Sequence, residues 1–532
     1  MKRIGVLLLL FVSSTSVFAQ ATRPYLVATR HAGRTAVQEI VGTDIPARDQ
    51  MNVKTFTYID AFAADLTEDE VAALRRSPRV RFVEPDLERH AFAQASTEGR
   101  NPNVQTQPYG IGLVNAPATW PVTKGAPVNV AVLDSGIDYT HPDLQSVYAG
   151  GRNAIKGTDD PRDDNGHGTH CAGIIAAADN TVGVVGVAPQ ARIWSVKVLD
   201  AQGSGRTSAI VAGIEWVLSK KAAIGGNWIL SVSLGSCDSS VLEQNEFAKA
   251  INSGVLVVAA AGNHNPANPD MCDSTSSNAY AVSYPAAYPG VIAVAAVDAS
   301  SAVASFSNVG SQVSLAAPGV NVLSTLRVGT GALTSVNNGS ATIDAVPVTG
   351  TPSLSVTGKL IDCALGKVGD FPAAVSGNIA MIQRGDITFA AKAKNAKAAG
   401  AAAVIIYNKD ASELNFTLIG KLSDGITDDP ADLAFAWPLT IAMTHDDGVA
   451  LLKTSNGATV TASNLPDDYG FLSGTSMAAP HVAGVAARVW SAAPTATSDA
   501  VKAALTSTAH DLGTPGPDSS TGYGLVDAFA AA

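Results

Sequence analysis

Gly474-Thr475-Ser476-Met477-Ala478-Ala479-Pro480-His481 is the stretch on which the reading of the whole chain turns. An almost unbroken apolar run follows it, Val482-Ala483-Gly484-Val485-Ala486-Ala487. With no polar stripe, that run predicts a helix buried all round. Proline is tolerated in the first turn of a helix, so Pro480 places Ser476 at the helix N-terminus. A hydroxyl there can cap free backbone N–H groups. It can equally act as a nucleophile, because those N–H groups favour negative charge developing beside them. The choice depends on whether the chain also supplies a base, an acid to orient it, and an amide donor.

Composition sets the frame. The chain has 532 residues, 46% hydrophobic and 15% charged, with a net charge of −11. The length allows two or three domains, and the low charge fraction predicts a large core rather than disorder. The acidic balance argues against nucleic acid as a partner. Met1-Lys2-Arg3, an apolar stretch over residues 4–12, and small residues at Val17 and Ala19 predict an export signal cut after Ala19. Its apolar core is short for a membrane span, so the expected product is secreted, extracellular or periplasmic, and free of the membrane. A monomer is the default expectation.

The texture then changes three times along the chain. Residues 24–92 read as a small α+β unit: Tyr25-Leu26-Val27-Ala28 as a strand, Thr67-Glu68-Asp69-Glu70 with capping-box spacing, and Val80-Arg81-Phe82-Val83-Glu84 alternating like a strand. Residues 93–107 are polar and read as a linker. From Val128 onward, strand-like runs at 128–133, 193–199, 229–234, 255–260 and 291–297 alternate with helical stretches such as 208–218 and 241–251. That alternation predicts a mostly parallel sheet with helices on both faces. Residues 328–466 form another βαβ-containing module, with a helix over 389–399 stopped by Gly400. The small-residue texture returns after it, so this module is inserted into the larger domain.

Several residues stand where chemistry collects in such a sheet, at or just past the carboxyl ends of strands: Asp134, Ser233 and Asn263. Asp134 can simply form a turn before Gly136. His167 can cap its helix, and with His170 it makes a His-x-x-His pair that could hold a metal. No Glu follows at the spacing of a zinc peptidase, which weakens the metal reading. Together with Ser476, these residues supply an acid, a base, a nucleophile and an amide donor.

The order Asp, His, Ser and the local motifs resemble the subtilisin-like serine protease family. The matching stretches are Val132-Leu133-Asp134-Ser135-Gly136-Ile137, Gly166-His167-Gly168-Thr169-His170 and Gly474-Thr475-Ser476-Met477-Ala478-Ala479-Pro480-His481. Ser233-Leu234-Gly235, Ala259-Ala260-Ala261-Gly262-Asn263 and Ala316-Ala317-Pro318-Gly319 agree as well. The resemblance implies a serine endopeptidase acting on protein or peptide substrates, with Asp134, His167 and Ser476 catalytic and Asn263 in the oxyanion hole. It implies that Ser233, Leu234 and Gly235 offer a backbone edge to substrate. Ala259, Ala260 and Gly262, with Ser283 at the floor, would line the specificity pocket. No catalytic metal is implied. A structural calcium ion is, held by Gln105, Asp143, Asn180 and the carbonyls of Ala178, Val182 and Val184. Acidic pairs at Asp159-Asp160 and Asp163-Asp164 could bind another cation or form a solvated loop.

The same resemblance extends to the flanking pieces. The amino-terminal unit resembles the family's inhibitory propeptide, and 377–408 resembles the protease-associated domain. The implied layout is 1–19 signal, 20–95 propeptide, 103–327 and 467–532 catalytic domain, and 328–466 insert. The propeptide would act as an intramolecular inhibitor until it is cut between His90 and Val104. Of the four cysteines, Cys237 and Cys272 are implied to pair, since their strands should be neighbours at the cleft. Cys171 is expected as a buried thiol and Cys363 as unpaired.

Overall fold

A computed structural model describes residues 21–30, 34–45, 50–56, 59–96, 105–263, 281–410, 416–421 and 427–532. The expected export signal over 1–19 lies outside the described residues. The chain divides into two compact units, meeting at Asp86 and Leu87.

In the amino-terminal unit, Arg23–Thr29 pairs antiparallel with Ala61–Leu66 on one side and Val80–Pro85 on the other. Lys54–Thr55 extends the sheet to four strands. Helix Glu68–Arg76 starts with the expected capping box, in which the Thr67 hydroxyl accepts from the Glu70 N–H and the Glu70 carboxylate accepts from the Thr67 N–H. The helix buries Val71 and Leu74 in a core with Val27, Ile40, Phe62 and Leu66. This is the small α+β unit that the sequence predicts.

The second unit is built on a seven-stranded sheet. Its members in chain order are β1 (Asn129–Asp134), β2 (Tyr148–Asn153), β3 (Arg192–Lys197), β4 (Trp228–Val232), β5 (Val255–Ala260), β6 (Ile292–Val297) and β7 (Val313–Pro318). The spatial order is β7-β6-β5-β4-β1-β3-β2, and every neighbouring pair is parallel. Burial on both faces explains why the central strands read as continuous apolar runs. On one face pack α1 (His167–Ala176) and the long helix Thr475–Ala492; on the other pack α2 (Thr207–Ile224) and α3 (Val241–Asn252).

The long helix, labelled α4, corrects one expectation. It begins at Thr475, so Pro480 sits beyond the first turn. Proline lacks the N–H that would bond the carbonyl four residues earlier, which belongs to Ser476. That carbonyl instead accepts from the Ser233 hydroxyl at 2.9 Å and the Cys171 thiol at 3.5 Å. Two side chains from elsewhere in the chain therefore make an interior proline tolerable, and they tie down the turn that carries Ser476.

The insert forms an eight-stranded sheet. Ile379–Gln383, Ala403–Tyr407 and Leu439–Met443 are parallel, and helix Phe389–Ala398 crosses between the first two. Gly400 follows that helix at φ +84°, a backbone conformation that favours glycine. The chain leaves along Gly331–Asn337 and returns along Thr459–Asp467, with Gly331 opposite Asp467. Just before this, Val322–Thr325 pairs with Tyr469–Ser473. Exit and re-entry thus lie side by side, so the larger domain accommodates the module without spreading its own strands.

Candidate active site

Asp134 ends β1 and is fully buried. Its carboxylate accepts from the Ser135 N–H at 2.6 Å and lies 2.8 and 2.9 Å from His167 Nδ1. His167 opens α1. The turn before it is set by Asp163, whose carboxylate accepts the N–H groups of Asn165, Gly166 and Thr169 and the hydroxyls of Ser135 and Thr169. Asp163 is therefore spent on the helix N-terminus and is buried, which corrects the reading of a solvated acidic loop for this residue alone, since Asp159, Asp160 and Asp164 are exposed. Its neighbours are also partnered: Asp164 with Lys197 at 2.5 Å and Asp159 with Arg152 at 2.7 Å.

Burial alone would depress the His167 imidazole, but the Asp134 carboxylate, with Cys171, holds its pKa well above the usual histidine value. His170, its partner in the possible metal pair, faces the other way. Its Nε2 meets the carbonyls of Val322 and Gly470, and burial pushes its pKa down to about 3. Holding a metal with His167 is not what this ring is placed to do.

Ser476 lies in the first turn of α4. Its hydroxyl donates to the Ser233 carbonyl at 2.8 Å. His167 Nε2 is buried and has no hydrogen-bond partner among the described residues. The structure thus brings Asp134 and His167 into direct contact, while the Ser476 proton points to the Ser233 carbonyl. Asn263 follows β5. Its Oδ1 accepts from both the N–H and the hydroxyl of Thr475, at 2.9 and 2.8 Å. Those two donors fix the amide orientation, so Nδ2 faces the Ser476 side of the cleft.

The cleft is occupied by the chain itself. Glu88–Ala91 pairs antiparallel with Leu234–Gly235 on one side and with Ser204–Arg206 on the other. Phe92 follows, nearly fully buried, with its ring against Gly235, where a side chain would strike the Tyr284 carbonyl and crowd the ring. The Phe92 carbonyl accepts from Asn263 Nδ2 at 3.1 Å, and the Phe92 N–H donates to Ser476 Oγ at 3.0 Å. Beyond it, Gln94–Ser96 pairs antiparallel with Tyr469–Ser473. Residues 88–96 therefore run through the site as an extended strand, with the Phe92–Ala93 peptide at Ser476.

The remaining expected pocket residues divide. Ala260 shares the buried cluster that contains Phe92, whereas Ala259 packs on the opposite face of the sheet. Gly262 adopts φ +106°, and a side chain there would strike Ser283 Oγ and Asn308 Nδ2. Among the cysteines, Cys171 and Cys363 are free and buried. Cys272 lies outside the described residues, and with it the expected pairing to Cys237.

At the expected calcium position, oxygen atoms converge. The Gln105 amide nitrogen lies 2.7 Å from the Ala178 carbonyl, 3.1 Å from that of Val184 and 3.5 Å from Asn180 Oδ1. Asp143 is fully buried and accepts from Asn180 Nδ2 and the Val184 N–H, both at 2.9 Å. A buried carboxylate beside several inward-turned oxygens, with no basic side chain bonded to it among the described residues, suits a hard cation.

Several residues of the site carry no local signal in the sequence. Arg89 and Phe92 lie at the edge of a polar stretch, and Glu243 stands in what reads as an ordinary helix. Only the pairing across the cleft brings them together.

Comparison with known proteins fits this arrangement. A model described as the Subtilase family matches residues 125–348 and 439–524, one described as the PA domain matches 356–449, and one described as Peptidase inhibitor I9 matches 29–92. Subtilisin NAT of Bacillus subtilis subsp. natto is 42% identical over 279 residues, covering 52% of this chain and 66%, just under two thirds, of that protein. An alkaline protease of Shouchella clausii is 37% identical over 326 residues, covering 59% of this chain and 77% of its own length. The crystal structure of the psychrophilic subtilisin-like protease Apa1 from the Antarctic Pseudoalteromonas sp. AS-11 superposes with a TM-score of 0.57 at 33% identity, over 80% of this chain and 97% of that one. The chain belongs to the subtilase family of serine peptidases, with a peptidase-inhibitor segment before the catalytic domain and a protease-associated module within it.

Proposed function

We propose that this protein is a secreted serine endopeptidase, made as an autoinhibited zymogen, and that its own Phe92–Ala93 bond is the one cut on maturation. The observation that carries the reading is the strand 88–96, whose Phe92 carbonyl meets the Asn263 amide at 3.1 Å beside Ser476. Ser476 Oγ attacks the carbonyl carbon while its proton passes to His167 Nε2. The oxyanion is met by Asn263 Nδ2 and the Ser476 N–H at the start of α4. His167 then gives the proton to the departing amine as the C–N bond breaks. Water repeats the sequence on the acyl-enzyme, giving a carboxylic acid and restoring Ser476. Asp134 holds the imidazole tautomer and stabilises the imidazolium.

In this reading residues 1–19 direct export, the inhibitory segment runs from 20 and ends at Phe92 rather than near 95, and 328–466 is the insert. A disulfide between Cys237 and Cys272 completes the assignment, supported by the free state of the other two thiols. Amino-terminal sequencing of the secreted, fluorophosphonate-reactive form tests the whole: Ala93 is the expected first residue. A start elsewhere removes the assignment of the bond, and a protein that neither labels nor cleaves peptides removes the enzyme.

Calcium enters as a structural ion, held by Asp143, Asn180 and Gln105 with the carbonyls of Ala178, Val182 and Val184. Bound there, it neutralises the buried Asp143 carboxylate and pins the loop. Chelation is expected to lower the melting temperature by about 5 °C, since a ligand at a hundredfold excess over its Kd contributes ~2.7 kcal/mol. An unchanged melting curve with and without chelator would remove the ion from the scheme.

A further inference from the structure

We infer that this peptidase selects arginine at the fourth residue before the bond it cuts, and that Glu243 is the side chain that reads it. The inference rests on the peptidase reading above. Counting back from Phe92, the fourth residue is Arg89. Its side chain and that of Glu243 are both fully buried. Nε and Nη2 of Arg89 reach the two oxygens of Glu243 at 3.2 and 2.7 Å, a two-pronged match of guanidinium to carboxylate. Nη1 donates to the Ser236 hydroxyl at 2.6 Å and to the Glu88 carbonyl at 3.1 Å.

The pocket is built without help from the strand it holds. Glu243 sits in the first turn of α3, where its N–H donates to the capping Ser240 hydroxyl at 3.2 Å. The Tyr288 hydroxyl lies 2.8 Å from the second Glu243 oxygen, and accepts the Ser240 N–H at 2.9 Å. Burial, and the Glu243 carboxylate beside it, push the Tyr288 pKa up, so that group remains a donor. Ser236 belongs to the loop that follows Leu234–Gly235, the edge on which the strand is paired. Carboxylate, phenol and serine are thus positioned by α3, the Tyr288 turn and the substrate edge.

When the strand leaves after cutting, Glu243 loses the guanidinium it meets at 2.7 and 3.2 Å, its one cationic partner among the described residues. Glu243 is open to water until another strand closes over it, and a strand that buries the carboxylate without bringing a partner leaves it isolated, which is unfavourable. An incoming peptide that returns a guanidinium restores both hydrogen bonds. Lysine returns the charge without the fork, and norleucine returns neither.

The test uses the matured enzyme and four peptides ending in His-Ala-Phe before one fluorogenic amine, with Arg, Lys, norleucine or Glu as the fourth residue. The expected order of kcat/KM is Arg, Lys, norleucine, Glu, with Arg over norleucine by about 30-fold or more. Glu243→Leu is expected to lose this preference, and Glu243→Gln to weaken it. In the full chain, Arg89→Leu and Glu243→Leu each slow maturation, while the double variant recovers speed, because an apolar pair of similar volume replaces a buried ion pair at little cost. Equal rates for the Arg and norleucine peptides overturn the inference while leaving the peptidase intact. So does an Arg preference that survives in Glu243→Leu. Since a change at a buried position can disturb folding, the peptide series on the unmodified enzyme decides alone. Failure to cut any of the four peptides falls on the peptidase reading itself, and takes this inference with it.

Discussion

Ser476→Ala is expected to leave the chain uncut between Phe92 and Ala93, to abolish fluorophosphonate labelling, and to lower peptide turnover by about 10⁶-fold, a figure measured in a subtilisin. The substitution removes one oxygen and little else. The turn that carries it stays anchored, because the Ser476 carbonyl is held by Ser233 Oγ and Cys171 Sγ rather than by the lost hydroxyl. The Asn263 amide keeps its orientation through Thr475. The strand loses the Phe92 N–H bond to Ser476 Oγ but keeps its pairing with Leu234–Gly235 and the Asn263 contact, so the effect is expected to fall mainly on kcat. Because the uncut strand stays in the cleft, turnover is measured on variant protein processed in trans by a trace of the unmodified enzyme. Residual catalysis of about 10³–10⁴ over water remains from the oxyanion donors and binding. A variant that still cuts itself at the same bond would show that another group attacks.

What could be read from the sequence follows the range of the interactions concerned. Asp134, His167, Asn263 and Ser476 each stand at the end of a strand or the start of a helix within a short motif, so local sequence carries both their identity and their place. The strands of the sheet are legible for the same reason, as apolar runs that a doubly covered sheet requires. Arg89, Phe92 and Glu243 are different. Arg89 and Glu243 are 154 residues apart, and neither has a neighbour in sequence that hints at the other. A glutamate in the first turn of a helix ordinarily points to solvent and favours the helix dipole. Only the antiparallel pairing of Glu88–Ala91 with Leu234–Gly235 closes the pocket over it. Asp163 fails by the same logic, since burial is decided by what packs above a loop. Pro480 fails because its cost is met by Ser233 and Cys171, donors the local rule does not see.

Asp134→Asn is expected to lower kcat by about 10⁴-fold with little change in KM, and to shift the acid limb of the pH profile to lower pH. The carboxylate faces His167 Nδ1 at 2.8 and 2.9 Å, so the ring donates its Nδ1 proton there and leaves Nε2 free to take the serine proton. An amide at this position has one donor group and one acceptor. One of its oxygen sites is already fixed by the Ser135 N–H at 2.6 Å. With the carbonyl oxygen on that N–H, the NH₂ turns toward His167 and favours the tautomer protonated at Nε2, which cannot act as base. The sign of the pH shift follows from the same contact. Burial lowers the His167 pKa, and the negative charge of Asp134, with Cys171, raises it above the ordinary value. Catalysis needs the neutral ring, so the acid limb of kcat/KM lies at that raised pKa in the unmodified enzyme. Removing the charge leaves the burial effect less opposed, the ring loses its proton at lower pH, and the limb moves with it. Measuring kcat/KM from pH 5 to pH 10 on both proteins separates the two consequences: the tautomer effect lowers the plateau, and the charge effect moves the limb. A lowered plateau with an unmoved limb would mean that another group sets the acid side, and that Asp134 acts on orientation alone.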